Sequence, residues 1–203
     1  MLAVRRCLPD YADLDIHESS PTIRGLSTLL RKDAPGYIAT QFFPDATPGA
    51  LVDGVRCENL EAQTFASESF DLVVTQDVME HVFDIEKAYK ETFRTLRPGG
   101  YYIHTTPMYK ELTHTHARAR LHADGTVEHL FAPEYHGNPI NGEGALVTYH
   151  FGYDLVDLIA SWTPFDVECY RANARSHGIV AEFVEVLICR KPEGRELRRN
   201  KAF

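Results

Sequence analysis

The chain has 203 residues, enough for one domain with a substantial core, and its 44% hydrophobic and 25% charged residues suit a globular protein in water. A formal net charge of −8 argues against non-specific nucleic-acid binding, which requires a broad basic face, and leaves ARARL, Ala117–Leu121, as the one interior candidate for a basic patch. No apolar run approaches the ~18–20 residues that span a bilayer, MLAVRRCLPD is too short in its apolar part for a signal peptide, and Cys7, Cys57, Cys169 and Cys189 form no CxxC pair, so a cytoplasmic protein is expected.

Strand-like and helix-like runs alternate along the chain, the pattern of an α/β fold. The first strand is expected at Ala12–His17, followed by the break ESSP and a helix over Ile23–Lys32. Tyr37–Phe43 and Leu51–Cys57 read as the second and third strands, and Phe70–Gln76 as the strongest strand in the chain. Asp84 can cap the next helix, in which Ile85, Ala88, Tyr89, Phe93 and Leu96 form one apolar stripe that Pro98, Gly99 and Gly100 end. Tyr101–Thr106 is the fifth strand, stopped by Pro107.

Regular patterning then dissolves. Residues 108–150 hold six of the ten histidines, at 114, 116, 122, 129, 136 and 150, among scattered glycines and prolines. So long a connection in a compact domain points to function, and it is expected to cover the carboxyl edge of the sheet as a lid or substrate wall. A helix over Tyr153–Trp162 and strands at Phe165–Tyr170 and Glu182–Arg190 complete the pattern. Residues 1–203 thus read as a single domain with an insert at 108–150 and a charged, frayed tail at 191–203.

The stretch VTQDVMEHV, Val74–Val82, ends the strongest strand in polar groups: Gln76, Asp77, Glu80 and His81. In open α/β sheets ligands sit beyond the carboxyl ends of the strands, so these residues are candidates for a site. The larger segment Phe70–Pro107, FDLVVTQDVMEHVFDIEKAYKETFRTLRPGGYYIHTTP, closely resembles the middle of class I S-adenosylmethionine-dependent methyltransferases of the type 11 kind. The likeness lies in a Phe–Asp pair, an apolar strand, a Glu–His pair, an amphipathic helix, and a leucine, basic residue, proline and two glycines. It implies a three-layer Rossmann-like sandwich whose seven-stranded, mostly parallel sheet runs 3-2-1-4-5-7-6 with an antiparallel last strand. It also implies S-adenosylmethionine as cofactor and methyl transfer to an acceptor, here expected to be O-methylation of a small molecule or glycan.

The N-terminal half departs from that family. Where a glycine-rich loop should follow the first strand, the chain reads LDIHESSPTIRG: Asp15 matches the family's acidic residue, but His17, Ser19 and Pro21 occupy the glycine positions. Gln41 stands where an acid usually grips the cofactor's ribose hydroxyls, and the acid that meets the adenine falls at Glu58 or Asn59. The resemblance places the cofactor against Asp15, Glu18, Ser19, Ser20, Gln41, Phe42, Glu58, Asn59, Leu60, Gln76 and Asp77. The departures support a second reading, a catalytically inactive methyltransferase-like partner or binding module that has lost the cofactor.

Methyl transfer to a hydroxyl needs positioning and a base, for which His81 and His136 are the candidates. Asp77, Glu80 and His81 are spaced i, i+3, i+4, which on a helix falls within about 100° of one face. Two carboxylates and an imidazole suit a divalent cation, Mg²⁺ or Mn²⁺ by the oxygens, Zn²⁺ or Fe²⁺ by the histidine. The arrangement resembles the acid-x-x-Glu-His motif of metal-assisted O-methyltransferases acting on small RNAs and ubiquinone precursors. Those add ligands from beyond the fifth strand, here His114, His116 or His136.

Overall fold

A computed structural model describes residues 1–137, 144–171 and 175–194. It opens with a short helix α1 (Leu2–Cys7), then β1 (Ile16–Ser19), α2 (Leu26–Asp33), β2 (Tyr37–Gln41), β3 (Leu51–Val52), β4 (Val55–Cys57), β5 (Phe70–Gln76), α3 (Ile85–Thr95) and β6 (Leu96–Thr105). In the insert, six short strands pair outside the main sheet: β7 (His116–Ala117) with β12 (Tyr149–His150), β8 (Ala119–Leu121) with β9 (Val127–His129), and β10 (Tyr135–His136) with β11 (Ala145–Leu146). Helix α4 (Leu155–Trp162), β13 (Asp166–Arg171) and β14 (Glu185–Arg190) follow.

The main sheet has eight strands in the order β13-β14-β6-β5-β1-β2-β4-β3. Without β3 this is the expected seven-strand order, and β14 is the antiparallel strand, paired with both β6 and β13. The eighth strand arises because Leu51–Cys57, expected as one strand, is a hairpin. Asp53 and Gly54 both take positive φ, 49° and 81°, and turn the chain back on itself.

Alternation along the central strands sends neighbouring side chains to opposite faces. Leu72, Val74, Ile103 and Ile188 pack with α1 and α2 around Val4 and Leu30. Val73, Tyr102, Leu187 and Cys189 pack with α3 and α4 around Tyr89, Leu155 and Ile159. The Asp84 carboxylate caps α3 by accepting from Lys87 N at 3.0 Å, and Ile85, Ala88 and Tyr89 are buried along its stripe. The Pro98–Gly100 turn lies within β6, where the register to β5 shifts between Phe70 and Leu72.

Several expected boundaries move. The first strand begins at Ile16, because Tyr11–Asp13 forms a 3-10 turn and the Tyr11 hydroxyl donates to Asp33 at 2.6 Å. Helix α2 starts after Gly25, which takes φ 64°, and this leaves Ile23 outside it and 94% exposed. Of the tail expected at 191–203, only 191–194 lie within the described residues. Lys191 is buried there, with Nζ donating to Phe93 O at 2.9 Å and Leu96 O at 2.7 Å.

Two histidines lie fully inside the sheet region. His17 bonds the Thr40 hydroxyl at 2.8 Å, and burial lowers its pKa to about 4. His104 stacks on Tyr102 and meets the Tyr89 hydroxyl, and burial lowers its pKa to about 3. Both are neutral in the fold, while in the unfolded chain they protonate near 6.5. Below that pH the unfolded state binds more protons, so stability is full above about pH 6.5 and falls as pH drops toward 4. Urea midpoints measured from about pH 7.5 down to about pH 4.5 should therefore decline, and less steeply in His104→Phe. Midpoints flat across that window in the wild-type chain would contradict the burial of neutral imidazoles.

Candidate functional site

Strands β1, β2, β4, β5 and β6 run parallel, so their carboxyl ends meet along one edge of the sheet. That edge gathers Ser19 and Ser20, Gln41 and Phe42, Glu58, Gln76 and Asp77, and Thr105 and Thr106. Strand β1 has β2 on one side and β5 on the other, and the crevice where the order reverses is where such sheets bind ligands.

At this crevice Glu18 is fully buried. Its carboxylate accepts from Ser27 Oγ at 2.7 Å, the Tyr37 hydroxyl at 2.7 Å and Gln76 Nε2 at 2.8 Å. Those bonds tie β1 to α2, β2 and β5. Ser20, with φ 56°, takes the left-handed turn that leaves the strand, and Thr22 N donates to Ser27 Oγ at 3.0 Å. The turn is thus held by side chains rather than freed by glycines.

The other residues expected at a cofactor are distributed unevenly. Gln41 is half-buried, and its side chain makes no hydrogen bond among the described residues. Phe42 beside it is 45% exposed, and Leu60 belongs to the core. The Glu58 carboxylate is buried and committed: Arg56 Nε donates at 2.7 Å, Thr64 N at 2.8 Å, and the Thr64 hydroxyl also donates. Asn59 accepts from Glu61 N at 2.9 Å. Asp15 is separated from all of these. It precedes β1 at the opposite, amino edge, where Arg97 bridges it at 2.8 Å and Asp71 at 2.7 Å. The motif match at Asp15 therefore marks the strand's start, not its ligand-facing end.

The loop after β5 is not the regular helical turn that the spacing of Asp77, Glu80 and His81 suggests. Asp77 takes φ 52°, and only Met79–His81 coil, as a 3-10 turn. Asp77 consequently faces outward, accepting from the Thr105 hydroxyl at 2.9 Å, whereas Glu80 turns into the protein and is 1% exposed. The expected one-face trio does not form.

A different trio does. Glu80, His81 and His136 each direct a ligand-type atom into one small volume, with those atoms all within 4.8 Å of one another. Glu80 Oε2 accepts from the Thr106 hydroxyl at 2.9 Å, while Oε1 is buried without a hydrogen-bond partner among the described residues. Burial raises the Glu80 pKa to about 7. His81 Nδ1 lies 2.8 Å from Leu146 O. A carbonyl only accepts, so Nδ1 carries the hydrogen and Nε2, 3.9 Å from Glu80 Oε1, holds a lone pair. Burial lowers the His81 pKa, against the pull of that carbonyl. His136 is arranged in the same sense: Nε2 faces Glu134 Oε1 at 3.3 Å, and Nδ1 lies 3.9 Å from Glu80 Oε1. The rings of His81 and His136 meet edge to face with centroids 5.4 Å apart.

The insert supplies half of this site. Thr148 N donates to Glu80 O at 2.7 Å, and the Thr148 hydroxyl lies 2.9 Å from Glu80 O and 2.7 Å from Val82 O. Glu134 also accepts from His150 Nε2 at 2.9 Å and faces Arg118 at 3.4 Å. His114 is apart from this group, exposed and 3.6 Å from Asp154, and His116 packs against Phe131 and His150. The sequence reading missed Glu134, Thr106, Thr148 and the Leu146 carbonyl. Only Glu134 carried a signal, its spacing of two from His136 in an extended segment, which puts both on one side.

Residues 38–104 match a family model described as a methyltransferase domain, a stretch that runs from β2 into β6. No curated protein matches the chain. Among solved structures, an S-adenosylmethionine-dependent methyltransferase from Mesorhizobium loti superposes with a TM-score of 0.60 at 15% identity, covering 93% of this chain and 96% of the other. The 1,6-didemethyltoxoflavin-N1-methyltransferase of Burkholderia thailandensis, solved with 1,6-didemethyltoxoflavin and S-adenosylhomocysteine, gives 0.53 at 14% identity, covering 95% and 76%. The [4+2]-cyclase SpnF gives 0.55 at 14% identity, covering 95% and 87%. The fold is therefore that of class I methyltransferases, and the same fold also carries a cyclase.

Thr148 offers a test of how the insert holds the site. Thr148→Val removes a buried hydroxyl from two carbonyls and should cost about 1–3 kcal/mol in denaturant unfolding. An unchanged midpoint would mean that the hydroxyl does not tie the insert to the Glu80 turn.

Proposed function

We propose that this chain, which carries a methyltransferase domain on a class I fold, transfers a methyl group from S-adenosylmethionine to a hydroxyl of a small molecule or glycan. The observation that carries the reading is that the carboxyl ends of β1, β2 and β5 meet where the strand order reverses, beside a half-buried Gln41 with an uncommitted amide. The matched domain stretch spans most of that edge. In this reading the cofactor lies against Ser19, Ser20, Gln41, Phe42, Asn59, Leu60 and Gln76. Gln41 both donates and accepts to the ribose hydroxyls, a part for which an amide is chemically suited. Glu18 and Glu58 shape the crevice through their own bonds rather than touching the ligand.

The acceptor lies over the turn after β5, walled by the insert. Its oxygen attacks the methyl carbon in line with the departing sulfur, and the hydroxyl proton passes to a lone-pair nitrogen, His81 Nε2 or His136 Nδ1. The hydrogen bond to Leu146 O and the contact with Glu134 hold the two rings with those nitrogens free. Among the described residues no helix is long and apolar enough to cross a membrane, and all four cysteines are free. With those features we place the protein in the cytoplasm.

One observation favours a second reading, a binding module without methyl transfer: the β1 turn is filled by the Glu18 network where close backbone approach would want glycines. Calorimetric titration with S-adenosylhomocysteine separates the two. The methyltransferase reading expects saturable binding, weakened in Gln41→Ala by about 1–2 kcal/mol. Undiminished binding in that variant would remove Gln41 from the site, and no binding at millimolar ligand would favour the module.

A further inference from the structure

We propose that the cavity between the amino end of α3, helix α4 and the β8–β9 hairpin of the insert binds a neutral saccharide. The cavity holds about 670 Å³, within the roughly 300–1,000 Å³ of small-molecule sites. Phe83, Ile85, Leu121, Tyr149, Leu158 and Trp162 give it an apolar and aromatic wall. None of Glu18, Gln41 or Gln76 lines it, so it is separate from the crevice at β1, β2 and β5. It does adjoin the candidate reaction site. Phe83 and Asp84 continue the turn that carries Glu80 and His81. The Tyr149 hydroxyl donates to Phe83 O at 3.3 Å, next to the Thr148 bonds that hold the same turn. As the resting place of a methyl acceptor the cavity depends on the proposed reaction; as a binding site it does not.

The charges on the wall select the ligand. Asp84 is paired with Lys87 at 2.8 Å, Glu86 with Lys90 at 2.5 Å, and His122 with Glu128 at 3.4 Å. Two groups keep unused capacity. Glu61 accepts from the amides of Phe83 and Asp84 through Oε1, at 3.0 and 3.1 Å, and its Oε2 has no hydrogen-bond partner among the described residues. Arg120 makes no hydrogen bond or ion pair among them. Both lie near Tyr149: burial raises the pKa of its hydroxyl, Asp84 and Glu61 add to the rise, and Arg120 opposes it. An anionic ligand would meet Glu61, and a cationic one Arg120. A wholly apolar ligand would strip water from both and replace none of its hydrogen bonds. A neutral sugar suits the pair. Its hydroxyls donate to a carboxylate, which only accepts, and accept from a guanidinium, which only donates. Its C–H face is apolar and suits an aromatic wall, in which Trp162 is half-buried and rests on Tyr89 with centroids 5.9 Å apart.

Trp162 is the single tryptophan of the chain, so its fluorescence reports on the cavity. The full-length, tag-free chain is screened against an immobilised panel of neutral and acidic oligosaccharides. Each captured one is then titrated in solution by Trp162 fluorescence and calorimetry. The expected result is capture of at least one neutral oligosaccharide, with one site per chain and a saturable change in Trp162 emission. Arg120→Ala, which removes an exposed side chain, should weaken that binding about tenfold. Glu61→Gln keeps a carbonyl oxygen for the α3 amides but puts a donor in place of Oε2, and should weaken it by about the same factor. His129→Ala, exposed on the same hairpin outside the cavity wall, should bind as the wild type does. Circular dichroism checks that each variant folds. Failure of every neutral oligosaccharide to bind at millimolar concentration would overturn the proposal. So would binding of acidic oligosaccharides alone, or unchanged affinity in folded Arg120→Ala and Glu61→Gln. S-adenosylhomocysteine affinity on the same samples separates the two readings. Saccharide binding without it would bring down the methyltransferase reading and leave the saccharide site standing, and the reverse would do the opposite. Labelled methyl from S-adenosylmethionine should appear on the captured saccharide; binding without transfer would overturn its role as acceptor.

Discussion

The buried carboxylate of Glu18 is the interaction on which the candidate crevice depends. It sits where the sheet order reverses and draws donors from three other elements, Ser27 on α2, Tyr37 on β2 and Gln76 on β5. A carboxylate out of contact with water is stable only when its oxygens are hydrogen-bonded. The four segments are therefore held at mutual distances set by hydrogen-bond geometry. In a glycine-rich turn the backbone itself would shape the approach to a ligand. Here side-chain chemistry does so, and Ser20 supplies the single left-handed residue needed to leave the strand.

A second consequence follows on the other side of β5. The strand ends in an exposed Asp77 pinned to Thr105, and the left-handed conformation there turns Glu80 inward. Thr106 bonds one carboxylate oxygen of Glu80, and the insert bonds its backbone through Thr148 and brings His136 toward the other oxygen. The insert is thus part of the site's construction. Its own order rests on the Arg118, Glu134 and His150 contacts, so the charge that positions His136 also knits the insert together.

Much of this was legible in the residues. Phe70–Gln76 and the α3 stripe from Ile85 to Phe93 have strong periodic signals, and the structure places them where those signals put them. Helix α3 already ends at Thr95, so Leu96 and the Pro-Gly-Gly turn expected to end the helix lie in β6 instead. The expected strand order followed from family likeness rather than from periodicity. The pattern failed where local geometry overrides spacing. Asp53–Gly54 split one apparent strand into a hairpin, and an i, i+3, i+4 spacing carried no shared face because the turn is 3-10 and begins after a left-handed residue. Asp15 matched a motif letter yet lies at the wrong edge, since β1 starts only at Ile16. Partners such as Thr106, Thr148 and Leu146 O were out of reach of sequence reasoning, because long-range contacts between a strand end and an insert leave no local pattern.

The central claim is that the carboxyl edge, shaped by Glu18 in place of glycines, is a cofactor-binding crevice. Hydrogen–deuterium exchange of the intact chain with and without saturating S-adenosylhomocysteine tests it most directly. The account predicts slowed exchange at residues 18–22, 41–43, 58–61 and 76–81. Protection confined to the opposite edge, around Asp15, Arg97 and Tyr101, or no protection anywhere, would contradict it.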